Sequence, residues 1–369
     1  MRNDKTMLFE IPDADHRLEE ICAQGLEDKF GNNPPKAVAS RLSYELDVVK
    51  KQNHSSTYLI ASMLANEARR LHYFFYFRGT ITSSLISYVS SMSDINPMEK
   101  EYGGIDIPFE TTREEFQGIE PTIEMQVGVS FLIFAQSFLE RTLPEYRLIS
   151  YPLSSADGIR SLRIYMVKME DLSCDEVKTE QQDYVDCAEY IFQRDTFYIH
   201  LIGDEQMEQA HRNIIYSDSR ICFEEVQLDP VIPELWEYVK EFDDCPDELK
   251  GLRVKTYDEL LSVVSMIHST GVYDENIKEQ LLAGKLSLSE VIATRDDVFL
   301  YLKGKGLDRK DCFEIMDRVR KGRGPSDAQI SILQEHNVDK WFYGFCEQVR
   351  YLFPKAHITQ IIRYYAFLT

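Results

Sequence analysis

The sequence has few basic residues for its size. Against 62 aspartates and glutamates it has 41 lysines and arginines, which gives a formal net charge of -21 over 369 residues. Proteins that hold nucleic acid tightly do so largely through cationic contacts to the phosphates, and an acidic surface repels that backbone unless basic residues cluster locally. The composition therefore argues against tight binding to free DNA.

Cysteine pairs and long apolar runs are also missing. The seven cysteines are scattered, odd in number and form no Cys-x-x-Cys pair, so the sequence predicts neither a disulfide framework nor a zinc knuckle. No uncharged run reaches the length that spans a bilayer, and the first twenty residues have no cationic segment followed by an apolar one. We therefore expect a cytoplasmic protein with reduced thiols and no membrane association.

Apolar spacing predicts both helices and strands. Residues 17–21, 37–46 and 55–71 have apolar side chains at helical spacing, whereas residues 74–77 and 196–202 are typical of strands. A further strand is predicted near residues 162–169.

In the C-terminal part, Thr256 with Glu259 and Ser287 with Glu290 have the spacing of capping boxes that begin helices. Between these regions, the acidic stretch 234–248 predicts a solvated linker, with a contact surface for a basic partner as the alternative.

Residues 104–111, Gly-Ile-Asp-Ile-Pro-Phe-Glu-Thr, resemble a segment of the PolC-type DNA polymerase III alpha subunits of low-GC Gram-positive bacteria. In that family the segment leads into a strand with two magnesium-binding aspartates, which Thr122 and Glu124 match, and His200 matches a third aspartate on a neighbouring strand. Two-metal transfer needs carboxylates that hold two ions roughly 4 Å apart, and magnesium is poorly served by imidazole. Because one carboxylate of three is left, the resemblance predicts a chain without polymerase chemistry.

Residues 78–85 are similar to a second segment of the family, a loop that contacts the triphosphate of the incoming nucleotide. A glycine and several hydroxyls ahead of a helix make a suitable phosphate cradle, since N–H groups at a helix start favour anions. The resemblance implies nucleotide binding by Arg78, Gly79, Thr80, Ser83 and Ser84. A simple helix N-cap is the alternative interpretation of the same hydroxyls.

The C-terminal part follows the family's fingers region in five segments, in order: 289–292, 295–298, 305–307, 315–324 and 352–357. In the family this region lies against the incoming nucleotide, with arginine and lysine facing the triphosphate. The resemblance implies nucleotide binding by Arg295, Arg318, Lys321, Lys355 and His357. For the basic run that ends at residue 323, cations favoured by a helix C-terminus are an equally simple interpretation.

The resemblance implies an α+β fold, with a mixed-sheet palm of the polymerase-beta-like nucleotidyltransferase type and a mostly helical fingers domain. We expect N-terminal entry helices over residues 1–54, a palm with a reduced thumb over 55–255 and truncated fingers over 256–369. The zinc-binding insertion that the family usually has ahead of the segment at 104–111 is absent from this sequence.

The leading hypothesis is a catalytically inactive PolC-like module that binds a nucleotide or a protein partner in DNA replication or repair. No cofactor is expected, and a bound deoxynucleoside triphosphate with magnesium or manganese is the alternative. One alternative is a polymerase-like nucleotidyltransferase with a rebuilt site, in which Glu124, His200 and either Asp204 or Glu205 hold manganese or zinc. Against it, His200 among apolar neighbours is typical of a core histidine with satisfied hydrogen bonds. Another alternative is an acidic decoy for a DNA-binding protein.

Overall fold

The chain folds into two compact units. The computed structural model describes residues 10–99, 123–154, 160–168, 198–217, 232–243, 245–273 and 275–368. One unit comprises Met1–Asp94 with Phe109–Phe223, and the other comprises Ile95–Pro108 with Glu224–Thr369. One mixed sheet and a majority of helices make up the described residues, which confirms the α+β class predicted from the sequence.

Three helices begin the first unit: α1 (Ala14–Phe30), α2 (Lys36–Lys51) and α3 (Ser55–Arg70). Helix α1 packs against α3 and against the short helix α4 (Leu85–Val89). At Gly25 an added Cβ would lie 1.8 Å from the carbonyl oxygen of Val89. Glycine is therefore required where α1 and α4 approach each other.

Five of the described strands form one sheet in the first unit. Its strands are β1 (Phe75–Phe77), β2 (Ile123–Gly128), β3 (Tyr146–Ser154), β4 (Arg160–Lys168) and β5 (Tyr198–Asp204). The order across the sheet is β1-β2-β5-β4-β3, in which β2 and β5 are parallel and the other neighbours are antiparallel. The sheet therefore becomes continuous only when β5 pairs between β2 and β4.

The two faces of the sheet differ in polarity. Met125 and Val127 of β2 and Leu201 of β5 are fully buried, and helix α5 (Phe131–Thr142) packs against the same strands through its own buried residues. Successive side chains of a strand point to opposite faces. Glu124 and His200 therefore lie on the opposite, polar face. Helix α6 (Glu205–Ser217) follows β5 directly and packs against β2.

The described residues of the second unit form helices. They are α7 (Ile232–Phe242), α8 (Asp247–Lys250), α9 (Tyr257–His268), α10 (Glu275–Leu282), α11 (Arg295–Gly304), α12 (Arg309–Arg320), α13 (Asp327–Glu335), α14 (Lys340–Gln348) and α15 (Lys355–Leu368). The capping box of Thr256 with Glu259 is confirmed at the start of α9. The box of Ser287 with Glu290 is also present, but it begins a short 3-10 helix, and α11 starts from a further box at Thr294.

The predicted linker at residues 234–248 was wrong, because most of it is helical. Helix α7 buries Ile232, Leu235, Trp236 and Val239, which have the i, i+3, i+4, i+7 spacing of an amphipathic helix. The indole N–H of Trp236 donates to the carbonyl oxygen of Leu252 at 3.0 Å. The acidic residues of α7 lie on its exposed side. The linker was predicted from the number of acidic residues, without regard to the helical spacing of the apolar ones. Across the described ranges, none of the helices is long and apolar enough to cross a bilayer.

Candidate functional site

Two of the three residues that were predicted to match the family's metal-binding aspartates are described, and they lie side by side. Strands β2 and β5 are parallel neighbours, and their register sets Glu124 directly opposite His200. Nδ1 of His200 lies 3.6 Å from Oε1 of Glu124, and the side chains keep 17% and 39% of their surface exposed. The sheet thus brings together two residues that are 76 positions apart in the chain. Thr122, the third predicted position, lies outside the described residues.

Glu124 and His200 do not gain a third metal ligand from Asp204. That residue lies four positions along β5 from His200, about 13 Å away by strand rise. Its carboxylate accepts hydrogen bonds from Nε2 of Gln126 at 2.8 Å and from the N–H of Met207 at 2.9 Å, which fixes it at the start of α6. Across the described ranges no three His, Cys, Asp or Glu side chains are arranged to hold a metal ion.

The described residues at this position therefore do not fit a pair of magnesium ions. One carboxylate and one imidazole face each other where a two-metal mechanism needs several carboxylate oxygens. The interpretation of His200 as a core histidine with satisfied hydrogen bonds stays a prediction. Its Nε2 is buried, and no described residue offers it a hydrogen bond.

Two arginines extend the row that contains Glu124 and His200. The N–H of Arg78 donates to the carbonyl oxygen of Glu124 at 2.9 Å, and Arg163 of β4 is the register partner of His200. Burial raises the pKa of the Tyr76 phenol, while the nearby Arg78 guanidinium acts in the opposite direction. The Tyr76 hydroxyl donates to Oε1 of Gln126, so the Tyr76 side chain lies on the polar face. Arg78 is two residues further along the extended chain, and its side chain therefore lies on the same face. The sequence motifs did not single out Arg163, since its position follows only from strand register.

The hydroxyl-rich loop after β1 begins at Gly79 and leads into α4. Gly79 has a φ of 78°, and a 3-10 helix over Thr80–Ser83 follows it. Ser84 is fully buried, and its hydroxyl accepts the N–H of Ser87 at 2.9 Å, which makes it the N-cap of α4. The N-cap interpretation therefore holds for Ser84, whereas Arg78 and Gly79 keep part of their surface exposed.

An internal carboxylate already occupies the start of α4. Glu45 of α2 is fully buried, and its Oε2 accepts the N–H of Ile86 at 3.1 Å while Oε1 accepts Nε of Arg41 at 2.6 Å. Burial raises the pKa of Glu45, and Arg41 together with the backbone N–H groups of α4 acts in the opposite direction. The sequence carries a signal for this residue, because Glu45 continues the buried stripe of Val38 and Leu42 along α2.

In the second unit, Lys355 is held by two carboxylates. Its Nζ lies 2.8 Å from Oδ1 of Asp297, and its backbone N–H donates to Oδ2 of Asp296 at 2.7 Å. Burial alone would lower the pKa of Lys355, but the attraction of Asp297 and Asp296 outweighs it and raises the pKa. Lys355 and Asp297 line a pocket of about 290 Å³ together with Ser265 and Asp258.

The remaining predicted residues of this unit take part in internal contacts. Nε of Arg318 donates to the carbonyl oxygen of Gly324 at 2.9 Å, and Nζ of Lys321 donates to Asp317 at 3.1 Å. Arg295 is buried in the first turn of α11. His357 is buried and its ring stacks on Phe353, with centroids 4.6 Å apart. Arg318, Lys321 and Lys355 keep part of their surface exposed.

Comparison with known proteins points to the family that the motifs suggested. Residues 16–126 match the family described as the bacterial DNA polymerase III alpha NTPase domain. The DNA polymerase III PolC-type of Caldanaerobacter subterraneus subsp. tengcongensis is 24% identical over 94% of this chain and 32% of that protein. The corresponding protein of Pediococcus pentosaceus is 23% identical over 97% of this chain and 32% of that protein.

A shorter region is more similar. The DNA polymerase III PolC-type of Oceanobacillus iheyensis is 40% identical over 109 residues, which are 30% of this chain and 8% of that protein. The Caldanaerobacter and Pediococcus proteins match nearly the whole of this chain but are much longer. The chain spans about a third of the length of each. The chain thus resembles the PolC-type DNA polymerase III alpha subunit, as its motifs predicted.

Proposed function

We propose that this protein is a PolC-like palm-and-fingers module without polymerase chemistry, which binds a nucleotide or a protein partner in DNA replication or repair. The observation that supports it most is Glu124 facing His200 where the family has metal-binding aspartates. Loss of one member of a two-metal cage removes several kcal/mol of transition-state stabilisation, on the order of a thousandfold in rate. A module of this kind acts by binding.

In this proposal the sheet of the first unit is a palm of the polymerase-beta-like nucleotidyltransferase type. Its mixed strand order, with β2 and β5 parallel at the centre, supports the assignment. The entry helices take up residues 1–54, the palm with a reduced thumb takes up 55–255, and the fingers take up 256–369. The capped helices that begin with α9 support the last assignment.

Each unit supplies its own candidates for nucleotide binding. In the first unit the N-terminus of α4 is engaged by Glu45, so we assign phosphate binding to the partly exposed Arg78 and Gly79 rather than to the helix start. In the second unit we assign it to Arg318, Lys321 and Lys355, whose side chains are also partly exposed. Guanidinium and ammonium groups are the usual phosphate ligands of proteins.

Calorimetric titration with a deoxynucleoside triphosphate and magnesium or manganese tests this proposal. Arg78→Ala should weaken binding to the first unit, and Arg318→Ala should weaken binding to the second, each by about tenfold or more, because a charge-assisted hydrogen bond contributes about 1.5–3 kcal/mol. Arg253→Ala, an exposed arginine outside both candidate sets, is the matched control and should bind like the wild type. If the wild type does not bind the nucleotide, binding of a protein partner remains as the proposed function. Affinity capture from a host extract would then identify that partner.

A primer-extension assay tests the lack of polymerase chemistry. We expect no extension with magnesium or manganese, and extension that is lost in Glu124→Gln would overturn this part of the proposal.

The approach of Nδ1 of His200 to Glu124 supports the enzyme alternative, in which manganese or zinc bridges the two side chains. That alternative predicts stoichiometric metal binding that disappears in both Glu124→Gln and His200→Gln.

A further inference from the structure

We propose that a pocket beside α9 of the second unit binds a small organic ammonium ion. The pocket has a volume of about 290 Å³. Its ligand class is an amine with a short aliphatic chain and a hydroxyl group. The inference goes beyond the proposed function, because the ligand is a cation rather than a nucleotide, and each of the two can fail without the other.

One face of α9 forms a wall of this α9 pocket. Asp258, Leu261 and Ser265 line it from α9, and their spacing of three and four positions sets them on one side of the helix. Helix α9 packs against the 3-10 helix at Leu288–Glu290 and against α15, which fixes the opposite wall. The residues that line the pocket from that wall include Val291, Asp297 and Lys355.

The charges that line the α9 pocket favour a cation. Two carboxylates, Asp258 and Asp297, are present with one ammonium group, Lys355, which leaves one net negative charge. Nζ of Lys355 lies 2.8 Å from Oδ1 of Asp297, so the exposed Asp258 has no directly paired cation among the described residues. Burial alone would lower the pKa of Lys355, but the attraction of Asp297, Asp296 and Asp258 raises it, as a negative potential in the pocket requires. A monocation beside Asp258 would neutralise the lining.

A buried hydroxyl without a hydrogen bond also lines the α9 pocket. Ser265 is fully buried, and no described residue offers a hydrogen bond to its Oγ. A serine within a helix can satisfy its hydroxyl at the carbonyl oxygen four residues earlier, and Ser265 does not. A buried hydroxyl that stays unpaired lowers stability. A polar ligand atom in the pocket would supply the missing partner.

Two features favour an organic ammonium ion over a metal ion. Leu261 and Val291 are almost fully buried and give the α9 pocket apolar walls, which suit the methylene groups of an aliphatic chain. Across the described ranges no three His, Cys, Asp or Glu side chains are arranged to hold a metal ion. The ligand therefore places its ammonium group beside Asp258 and its hydroxyl group at Ser265, with the methylene groups between them.

The experiment is a ligand-observed NMR titration of the full chain with aminopentanol, whose amine and hydroxyl end a five-carbon chain. Asp258 and Ser265 are about 10 Å apart along the axis of α9, which matches this ligand with a hydrogen bond at each end. We expect saturable binding with a dissociation constant on the order of 1 mM, as for a ligand of so few heavy atoms. Pentanediol, in which a neutral hydroxyl replaces the ammonium group, should bind at least about threefold more weakly.

Two substitutions separate the ammonium contact from the hydroxyl contact. Asp258→Asn keeps the shape of the side chain and should weaken aminopentanol binding at least about threefold. Asp327→Asn is the matched control and should bind like the wild type, since Asp327 is exposed in the first turn of α13 as Asp258 is in the first turn of α9. Ser265→Ala should bind about threefold more weakly without a fall in melting temperature, because no described residue bonds the hydroxyl.

Three results would overturn the inference: no saturation by aminopentanol up to about 10 mM, equal affinity for pentanediol, or variants of Asp258 and Ser265 that bind like the wild type. The comparison of the two ligands uses the unchanged protein, so it decides the question even if a variant does not fold. Since Lys355 is engaged by Asp297, nucleotide binding by the second unit rests on Arg318 and Lys321, and its failure would leave this inference standing.

Discussion

At the scale of single residues, Glu45 links α2 to the start of α4. Glu45→Ala should destabilise the protein by about 3 kcal/mol, because it leaves the buried N–H of Ile86 without its acceptor and the Arg41 guanidinium without its counter-charge. Chemical denaturation with the midpoint and slope measured separately checks this expectation. Asp47→Ala is the control on the same helix, since Asp47 is exposed and pairs with the exposed Lys51, and it should change stability little. Equal effects of the two substitutions would contradict the role assigned to Glu45.

Glu208 gives the first unit a pH dependence. Its carboxylate accepts the N–H and the hydroxyl of Ser130 at 3.0 and 2.7 Å, and it accepts Nε of Arg212 at 3.2 Å. Burial alone would raise the pKa of Glu208, but the hydrogen bonds from Ser130 and Arg212 outweigh it and hold the pKa below the ordinary value of 4.5.

The sign of this dependence follows from the direction of the shift. A lowered folded-state pKa contributes stability that is present above the unfolded value of 4.5 and is lost as the pH falls through the folded value. Glu208→Gln should therefore be less stable than the wild type by about 1–2 kcal/mol at pH 7, and the difference should shrink below pH 4.5. Denaturant unfolding over pH 3–7 measures it, and a difference that is constant with pH would contradict the assignment.

At the scale of secondary-structure elements, two helical glycines should respond oppositely to alanine. Gly25→Ala pushes a methyl group into the carbonyl of Val89 and should cost about 3 kcal/mol or more. Gly304→Ala, at the end of α11, meets no heavy atom within 4 Å and should stabilise the protein by about 0.5 kcal/mol through helix propensity. Thermal unfolding of both variants tests the packing of α1 against α4. A neutral Gly25→Ala would mean that the two helices separate easily.

The sequence predicted those elements whose signal is local. The predicted strand at 74–77 corresponds to β1, and the predicted helix at 55–71 corresponds to α3. The resemblance to the family, rather than a local signal, predicted that Glu124 and His200 lie on neighbouring strands. Strand β3 was not predicted, and it contains Pro152, a residue that is rare in central strands. Among the described strands β3 lies at the edge of the sheet, which is where proline is tolerated.

Residues whose role depends on distant neighbours could not be predicted in the same way. Glu45 acts on Ile86, which lies 41 positions along the chain, and Arg163 reaches His200 only through the register of β4 with β5. No local pattern encodes either contact, since strand register is set by the whole buried face of the sheet. The partners of both residues became visible only in the folded chain.

At the scale of the whole molecule, the net charge of -21 opposes contact with nucleic acid. We expect duplex DNA without a partner protein to bind with a dissociation constant weaker than roughly 10 μM in about 0.15 M salt. Fluorescence anisotropy with a labelled duplex measures it, and a salt titration identifies any electrostatic part. Nanomolar binding would contradict the expectation and would point to local basic clusters that outweigh the total charge.

The insertion of β5 between β2 and β4 has a consequence for synthesis. A ribosome makes β2 and β4 before β5, so the growing chain carries two incomplete sheet edges until residues 198–204 have left the exit tunnel. Exposed edges of this kind pair with other chains, and non-local strand pairing is slow to form. The nascent first unit therefore passes through an interval in which it is vulnerable to aggregation and attractive to chaperones, and the arrival of a single seven-residue strand ends that interval.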